Sequence, residues 1–286
     1  MRVIAEYVMR GRREALSVSV LGAALPLLYW LSTAVISLVV LRKGSYEGSI
    51  VLMWACLPTL MWLVVARDPT PLITMVGTVG LAYILRVTVS WVYTLAVSVL
   101  LGLAVGYMFE VALPEIVAIL VNVTVQIMQE TGMQPMLEMD ELELWSERWW
   151  IGILGAWQVG LMLLCLMLAR WWQSALYNPG GFKQELHHLR LPPGMVLALV
   201  ALMVMCANIV NPYLAGWIPV FTIPLVVAGI SLVHWGAARR SLGKNWLLVF
   251  YVLLLIFLRF VYPILLLLAL VDSWIDVRRR LSGPSD

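Results

Sequence analysis

Two arginines lie inside long apolar runs, and their chemistry stands out first in the sequence. Arg86 follows LAYIL, and Arg259 follows LLLIFL. An ionised side chain within a membrane span costs about 2.5–3.5 kcal/mol on insertion scales, so it faces the bundle interior, a cavity or the headgroups. Arg259 either meets an anionic group or lies at the tip of a re-entrant segment. Arg86, close to Trp91, either contacts a ligand or extends to the lipid headgroups.

Two asparagines beside a proline turn are further candidates for ligand contact. Asn208 and Asn211 precede Pro212, and Thr222 lies a little beyond it. The asparagine side chains either contact a ligand or make hydrogen bonds between helices. The predicted ligand-binding residues are therefore Arg86, Trp91, Asn208, Asn211 and Arg259.

Patterns typical of membrane catalysts are absent. The chain has no HExxH, no GxSxG with a partner histidine, no aspartate pair within a span and no Walker A element. His187 and His188 are neighbours, so on a helix they point about 100° apart and suit a shared metal ion poorly. Cys56, Cys165 and Cys206 form no CxxC pattern. We expect no catalytic residues, no metal and no cofactor.

A polar loop at residues 173–194 separates two apolar halves of the chain and contains the turn YNPGG. Phe182, Leu186 and Leu189 then recur at helical spacing, with polar side chains on the other face. This pattern predicts a short helix on the cytoplasmic leaflet. It is either a surface connector or a docking element for a membrane or cytosolic protein. The candidate docking residues in this loop are Tyr177, Asn178, Phe182, Lys183, His187 and Arg190.

The whole chain is too apolar for a water-soluble fold. Hydrophobic residues make up 62% and charged residues 12% of its 286 residues, and the mean hydropathy is +0.93. Soluble domains contain about 45–50% hydrophobic residues and about 25% charged residues. A soluble core of this size could not hold the apolar excess. We predict one integral membrane domain over residues 1–286, an all-α polytopic bundle in a lipid bilayer, with no nucleic-acid partner.

The positions of the charges predict the topology. The apolar runs give about eight hydrophobic segments, and basic residues follow both the first, residues 16–41, and the last, residues 246–275. Basic connectors stay in the cytoplasm, which a single crossing of either segment would not allow. We therefore expect breaks near Pro26 and between Arg259 and Pro263, with both termini cytoplasmic.

Two further segments are predicted to lie at the membrane surfaces. Residues 109–148 hold half of the sixteen acidic residues and are expected on the non-cytoplasmic side. Pro114 opens an amphipathic helix there, which either lies on the outer surface or lines the mouth of a cavity. Residues 1–15 are basic and amphipathic and suit an anionic cytoplasmic leaflet, the alternative being a plain charged tail. The polar stripe of the outer helix consists of Glu115, Asn122, Gln126 and Gln129.

Three passages carry a resemblance to a known family: LRKGSYEG (41–48), YNPGGFKQELHHLRLP (177–192) and LVDSWIDVRRRL (270–281). On these passages the chain resembles, nearly end to end, the DUF2232 (YybS-like) bacterial membrane proteins. The resemblance implies a multi-pass protein of the bacterial inner (cytoplasmic) membrane whose function is undefined.

A more distant similarity is to the substrate-binding S-components of energy-coupling-factor transporters, which also have short broken first helices and cytoplasmic ends. S-components dock to their membrane partner through a ridge of small residues on the first helix. Ala15, Ser19 and Ala23 stand four residues apart and would either form such a ridge or serve ordinary helix packing. This similarity implies capture of a small molecule.

Two functions follow from these patterns. The first is a solute-binding or transport-associated membrane subunit; the alternative is a membrane scaffold or assembly factor that acts through its cytoplasmic loop. An enclosed polar cavity near the outer leaflet, with Arg86 or Arg259 pointing into it, would favour the first function. A bundle filled by side chains would favour the second.

Overall fold

The computed structural model describes residues 2–131, 139–207 and 212–282, and these residues form helices joined by short connections, with no strand. The predicted all-α bundle is confirmed. In chain order the helices are α1 (Arg2–Arg10), α2 (Arg12–Ala24), α3 (Tyr29–Lys43), α4 (Ser45–Val65), α5 (Thr70–Thr88), α6 (Trp91–Ala112), α7 (Pro114–Glu130), α8 (Met139–Tyr177), α9 (Gly181–His188), α10 (Pro193–Cys206), α11 (Pro212–Ala215), α12 (Ile218–Arg239), α13 (Lys244–Ile256), α14 (Leu258–Ile275) and α15 (Val277–Ser282).

Six helices of the described chain are long and apolar enough to cross a membrane, namely α4, α5, α6, α8, α12 and α14. A seventh span results if α9 and α10, which meet at a bend of 64°, count as one. The 21 residues of α4 reach about 30 Å at 1.5 Å per residue, which matches the hydrocarbon core of a bilayer. Each predicted hydrophobic segment corresponds to a helix or a helix pair, so the fold is a multi-pass membrane bundle.

Helix α3 forms the centre of the bundle. Every residue from Ser32 to Leu41 is buried, and the helix packs against α2, α4, α5 and α8. The approach of α4 is close, because a Cβ added to Gly48 would lie 2.2 Å from Val40 Cγ2. An apolar helix that could have faced lipid therefore meets protein, and it fills the interior.

The first hydrophobic segment is broken and folds back at the turn that contains Pro26. A Cβ added to Gly22 of α2 would lie 3.2 Å from the Cβ of Ser32 on α3. The Arg12 guanidinium at the start of α2 lies 2.6 Å from the Glu47 carboxylate, just beyond the end of α3. The two helices therefore form a hairpin, and the chain returns to the end of the bundle from which it started.

The last hydrophobic segment is also broken, at Phe257 between α13 and α14. Tyr251 of α13 is hydrogen-bonded at 2.7 Å to His234, near the end of α12. Tyr262 of α14 bonds instead to Thr222, near the start of α12. Because these contacts lie towards opposite ends of α12, α13 and α14 run in opposite directions, and the segment folds back.

Most connectors rich in arginine meet at one end of the bundle, called here the basic end and marked by Arg12, Arg86, Arg170, Arg190 and Arg278. Helix α15 also lies there. The acidic end is the opposite end, marked by α7 and by the ion pair of Glu110 with Arg148 at 2.6 Å. Helices α1 and α15 lie at the same end, as the charge pattern predicts. Which side of a membrane that end faces stays a prediction.

Backbone contact fixes α8 at the acidic end. A Cβ added to Gly152 would lie 1.5 Å from the carbonyl oxygen of Gly216, in the turn before α12. A Cβ on Gly216 would lie 1.9 Å from the carbonyl oxygen of Arg148. No side chain fits between these two segments.

Candidate functional site

Arg86, in the last turn of α5, caps the central helix α3. Its Nη1 donates to the carbonyl oxygens of Val40 at 3.1 Å and Leu41 at 2.6 Å. These carbonyls belong to the last turn of α3, where the Val40 carbonyl also accepts the Gly44 N–H at 3.2 Å. A positive charge is favourable at this end of a helix. The other guanidinium N–H groups of Arg86 have no partner among the described residues.

Glu185 of α9 joins three helices at the basic end. Arg170 of α8 binds its carboxylate through Nε at 2.9 Å and through Nη2, and the indole of Trp91 donates to it at 3.2 Å. Arg170 also bonds to Gln173, whose amide donates to the Leu41 carbonyl at 3.2 Å. Paired bonds between an arginine and a carboxylate are strong and directional. They hold α9 against α6 and α8.

An open cavity of about 360 Å³ lies among these groups. Arg170 and Glu185 neutralise each other, so Arg86 leaves the cavity with a positive charge. The cavity is open, whereas the cavity expected of a solute-binding subunit is enclosed. Its lining residues are Leu41, Leu85, Arg86, Val89, Arg170, Gln173 and Glu185.

Val89 lines this cavity in a strained backbone conformation. Its φ of 50° and ψ of 31° lie in the left-handed region, where a β-branched residue is an outlier. Such a conformation costs on the order of 1–3 kcal/mol. The side chain is 80% exposed, so packing within the chain does not explain the choice of valine.

Arg190 and Arg278 fasten the connector after α9 to the end of α14. Arg190 donates to the carbonyl oxygens of Asp272 at 2.8 Å and Ser273 at 2.7 Å, and to the Asp276 carboxylate at 2.9 Å. Arg278 Nε lies 3.2 Å from the Asp272 carboxylate, and both side chains are almost fully buried. Burial lowers the pKa of the Arg278 guanidinium, and the nearby Asp272 carboxylate opposes that shift.

Arg278 also reaches back into the connector itself. It donates to the carbonyl oxygens of His187 and Leu189, the second at 2.8 Å, and to the Ser231 hydroxyl at 3.1 Å. Residues 177–192 and 270–281, two of the passages that carry the family resemblance, therefore form one structural unit.

The predicted short helix of the central loop is present as α9, and its exposed face carries Lys183, Gln184 and His188. Tyr177 and Asn178 precede it and are also exposed. The Tyr177 ring lies 4.0 Å from the guanidinium carbon of Arg42. These side chains remain available to a partner.

Three other predicted docking residues are used inside the fold. The Phe182 ring packs against Trp91, with 6.2 Å between the ring centroids. Arg190 is bonded to α14, and His187 is half-buried with its carbonyl bound by Arg278. These three residues hold the loop against the bundle and do not form its exposed face.

The small residues of α2 face inward. Ala15, Ser19 and Ala23 are buried completely or almost completely, and the Ser19 carbonyl accepts a hydrogen bond of 2.6 Å from Ser32 of α3. Small side chains let these two helices approach closely. This face is occupied by packing within the chain, which matches the second of its two predicted alternatives.

Among the predicted ligand-binding residues that the structure describes, Arg86 and Trp91 lie close to the same carboxylate. Trp91 donates to Glu185, which lines the cavity together with Arg86. Arg259 is exposed in the first turn of α14, at the tip of the α13–α14 hairpin, with no ion-pair partner in the described part of the chain. That position matches the re-entrant tip, one of its two alternatives. Asn208 and Asn211 lie outside the described residues.

The predicted surface helices are α7 and α1. Helix α7 buries one face against α8, and Asn122 lines a groove of about 420 Å³ together with Glu110, Glu143 and Glu147. Glu115, Gln126 and Gln129 are exposed. Helix α7 therefore lies on the surface and also lines a groove. Helix α1 is folded against the bundle, with Ala5 and Val8 buried.

Sequence reasoning did not identify Glu185 and Asp272 as the carboxylates that organise the basic end. One signal was present: Glu185 is the only acidic residue between Glu147 and Asp272. A single carboxylate in a long apolar and basic stretch indicates a specific cationic partner.

The sequence matches no protein-family model, and no curated protein or solved structure is significantly similar to the chain. The two resemblances therefore stay expectations.

Proposed function

We propose that the chain is a membrane scaffold or assembly factor that binds a protein partner at the basic end, through the exposed face of α9. The observation that carries this proposal is that α9 is fastened on both sides. Arg170 and Trp91 bind it to the bundle, and Arg278 binds the end of the helix and the connector beyond it. A surface held in one conformation loses little entropy when it binds a partner.

The filled interior supports the same proposal. Helix α3 occupies the centre of the bundle, with all residues from Ser32 to Leu41 buried. A bundle filled by side chains is the feature expected of a scaffold. The ion pairs described above lie at the ends of the helices.

The charges around α9 indicate the kind of partner surface. Lys183 on α9 and Arg42, Arg279 and Arg280 nearby in the fold are exposed. Complementary charge speeds association and suppresses wrong partners. We infer an acidic surface on a membrane or cytosolic protein.

Site-specific photocrosslinking tests this proposal. A photoreactive residue is placed at Lys183 or Gln184, and the matched control is placed at Gln129, exposed on α7 at the acidic end. We expect one discrete protein adduct from the two α9 positions and none from Gln129. Adding Lys183→Glu to the Gln184 probe should remove that adduct. An adduct pattern identical to the control, or one insensitive to Lys183→Glu, would contradict docking through α9.

A second candidate is a solute-binding or transport-associated subunit, and the open cavity beside Arg86 favours it. A small anion would occupy the space between α5, α8 and α9. Mass spectrometry of small molecules that co-purify with the chain tests this candidate. A soluble anion retained by the native chain and lost from a cavity variant would support it.

A further inference from the structure

The free N–H groups of Arg86 define the chemistry of the cavity. Nη1 is used on the α3 carbonyls, and Arg86 lines the cavity without a carboxylate partner among the described residues. Glu185, the acidic lining residue, is already bound by Arg170 and Trp91. An arginine with free N–H donors can bind an oxyanion. In a layer of lipid headgroups the available oxyanion is phosphate, and the planar guanidinium matches its geometry.

The same face of α5 leads from the cavity into the lipid. Tyr83, Arg86 and Val87 are three and four residues apart, so they share one side of the helix. Tyr83 is 48% exposed, Val87 is 62% exposed and Val89 at the rim is 80% exposed. A polar pocket at the end of a lipid-facing helix surface fits a molecule with a charged head and an apolar tail.

We propose that this cavity binds a phosphate-bearing ligand, with the phosphate on Arg86 and the apolar part on Val89 and the exposed face of α5. A phospholipid headgroup or a soluble phosphate ester would supply the same chemistry. Basic pockets between spans are known to hold anionic headgroups. The ligand gives the exposed side chain of Val89 a contact that the chain itself does not provide. This inference rests on the cavity and does not require docking through α9.

A pair of variants at Val89 tests the site without removing the cap on α3. Val89→Asp and Val89→Asn have similar shapes, and both residue types tolerate the left-handed conformation, so they differ mainly in charge. The aspartate places a negative charge at the rim beside Arg86. The chain is extracted from bilayers of equal phosphatidylglycerol and phosphatidylcholine, and retained lipid is counted by native mass spectrometry.

We expect the native chain and Val89→Asn to retain phosphatidylglycerol in preference to phosphatidylcholine, and Val89→Asp to retain about fivefold less of it. Equal retention by the two variants, or no preference in the native chain, would overturn the proposal. Arg86→Gln should also lose the lipid. Arg42→Gln, at the same end but outside the cavity lining, should keep it.

A competition experiment distinguishes the two sources of phosphate. Glycerol phosphate is added at millimolar concentration to the lipid-loaded chain and, separately, to the delipidated chain. Displacement of lipid together with a higher melting temperature of the native chain, but not of Val89→Asp, assigns the site to a soluble phosphate ester. If glycerol phosphate has neither effect and lipid is retained as described above, the site is assigned to the phospholipid headgroup.

Discussion

Asp272 and Arg278 form the most deeply buried of the ion pairs described, with side-chain exposures of 4% and 10%. A buried pair contributes little stability compared with apolar packing, because both charges lose their water. Removing one partner is different, because the other charge then stays buried and loses its bonded counter-charge. Asp276, which pairs with Arg190, is about one-third exposed, so water screens it.

Asp272→Asn should therefore destabilise the chain by about 3 kcal/mol. Asp276→Asn should cost less than about 1 kcal/mol, since its pair is exposed and asparagine suits the left-handed backbone there. Unfolding of both variants in detergent, followed by heat or by denaturant, gives the comparison. Equal losses would mean that the Asp272–Arg278 pair is not the contact that holds α15.

At the scale of elements, the approach of α8 to the α11–α12 turn depends on glycine. The distance of 1.5 Å from an added Cβ on Gly152 to the Gly216 carbonyl oxygen leaves no room for a methyl group. The obstacle is backbone, which cannot rotate away as a side chain does. Gly160 lies on the same helix, and a Cβ there would meet nothing within 4 Å.

Gly152→Ala should thus separate the two segments and lower stability by about 3 kcal/mol, the upper part of the range for overpacking. Gly160→Ala should raise stability by about 0.5–1 kcal/mol, because alanine favours helix over glycine. Melting temperatures of the two purified variants measure both effects. A neutral Gly152→Ala would show that the helices are not in backbone contact.

The sequence predicted the breaks in the first and last segments because two signals coincide there. A proline interrupts each run, and the basic residues that follow require the chain to return. The burial of α3 could not be predicted, since hydropathy is the same for a helix that faces lipid and for one that faces protein. The break at Phe257 falls outside the predicted stretch because Pro263 is accommodated inside α14.

For the whole molecule, the contacts place the basic connectors at one end of the bundle. Single cysteines at Ser45, Gln184 and Ser241, all exposed, should react with an impermeant thiol reagent from one side of the membrane. A cysteine at Thr131, beyond α7, should react from the other side. The native Cys56, Cys165 and Cys206 are replaced first.

Labelling of intact cells and of inverted vesicles gives the two sides. Any division of the three basic-end positions between the sides would contradict the arrangement of α4 to α12, the helices that lie between these positions. Because the two hairpins place α1 and α15 at this same end, the compartment that labels the three positions also tests whether both termini are cytoplasmic.

Part of the candidate site was accessible from sequence, and part required the fold. Arg86 and Trp91 were marked by charge and type within apolar runs. The bonds of Arg190 to α14 and of Arg278 to α9 were not, because about eighty residues separate the two passages and nothing local relates them. Charge and hydrophobic periodicity identify the helices in the sequence. Which charged residues meet depends on how those helices pack.

The central position of α3 has a consequence for biosynthesis. Residues 29–43 leave the ribosome well before α8, residues 139–177, is made, yet α8 supplies one of the walls that bury α3. Until then, α2, α4 and α5 cover α3, and its face toward α8 has no protein neighbour from that helix. The α2–α3 hairpin therefore stays in lipid or in the insertion machinery without α8 beside it until about one hundred further residues have been translated.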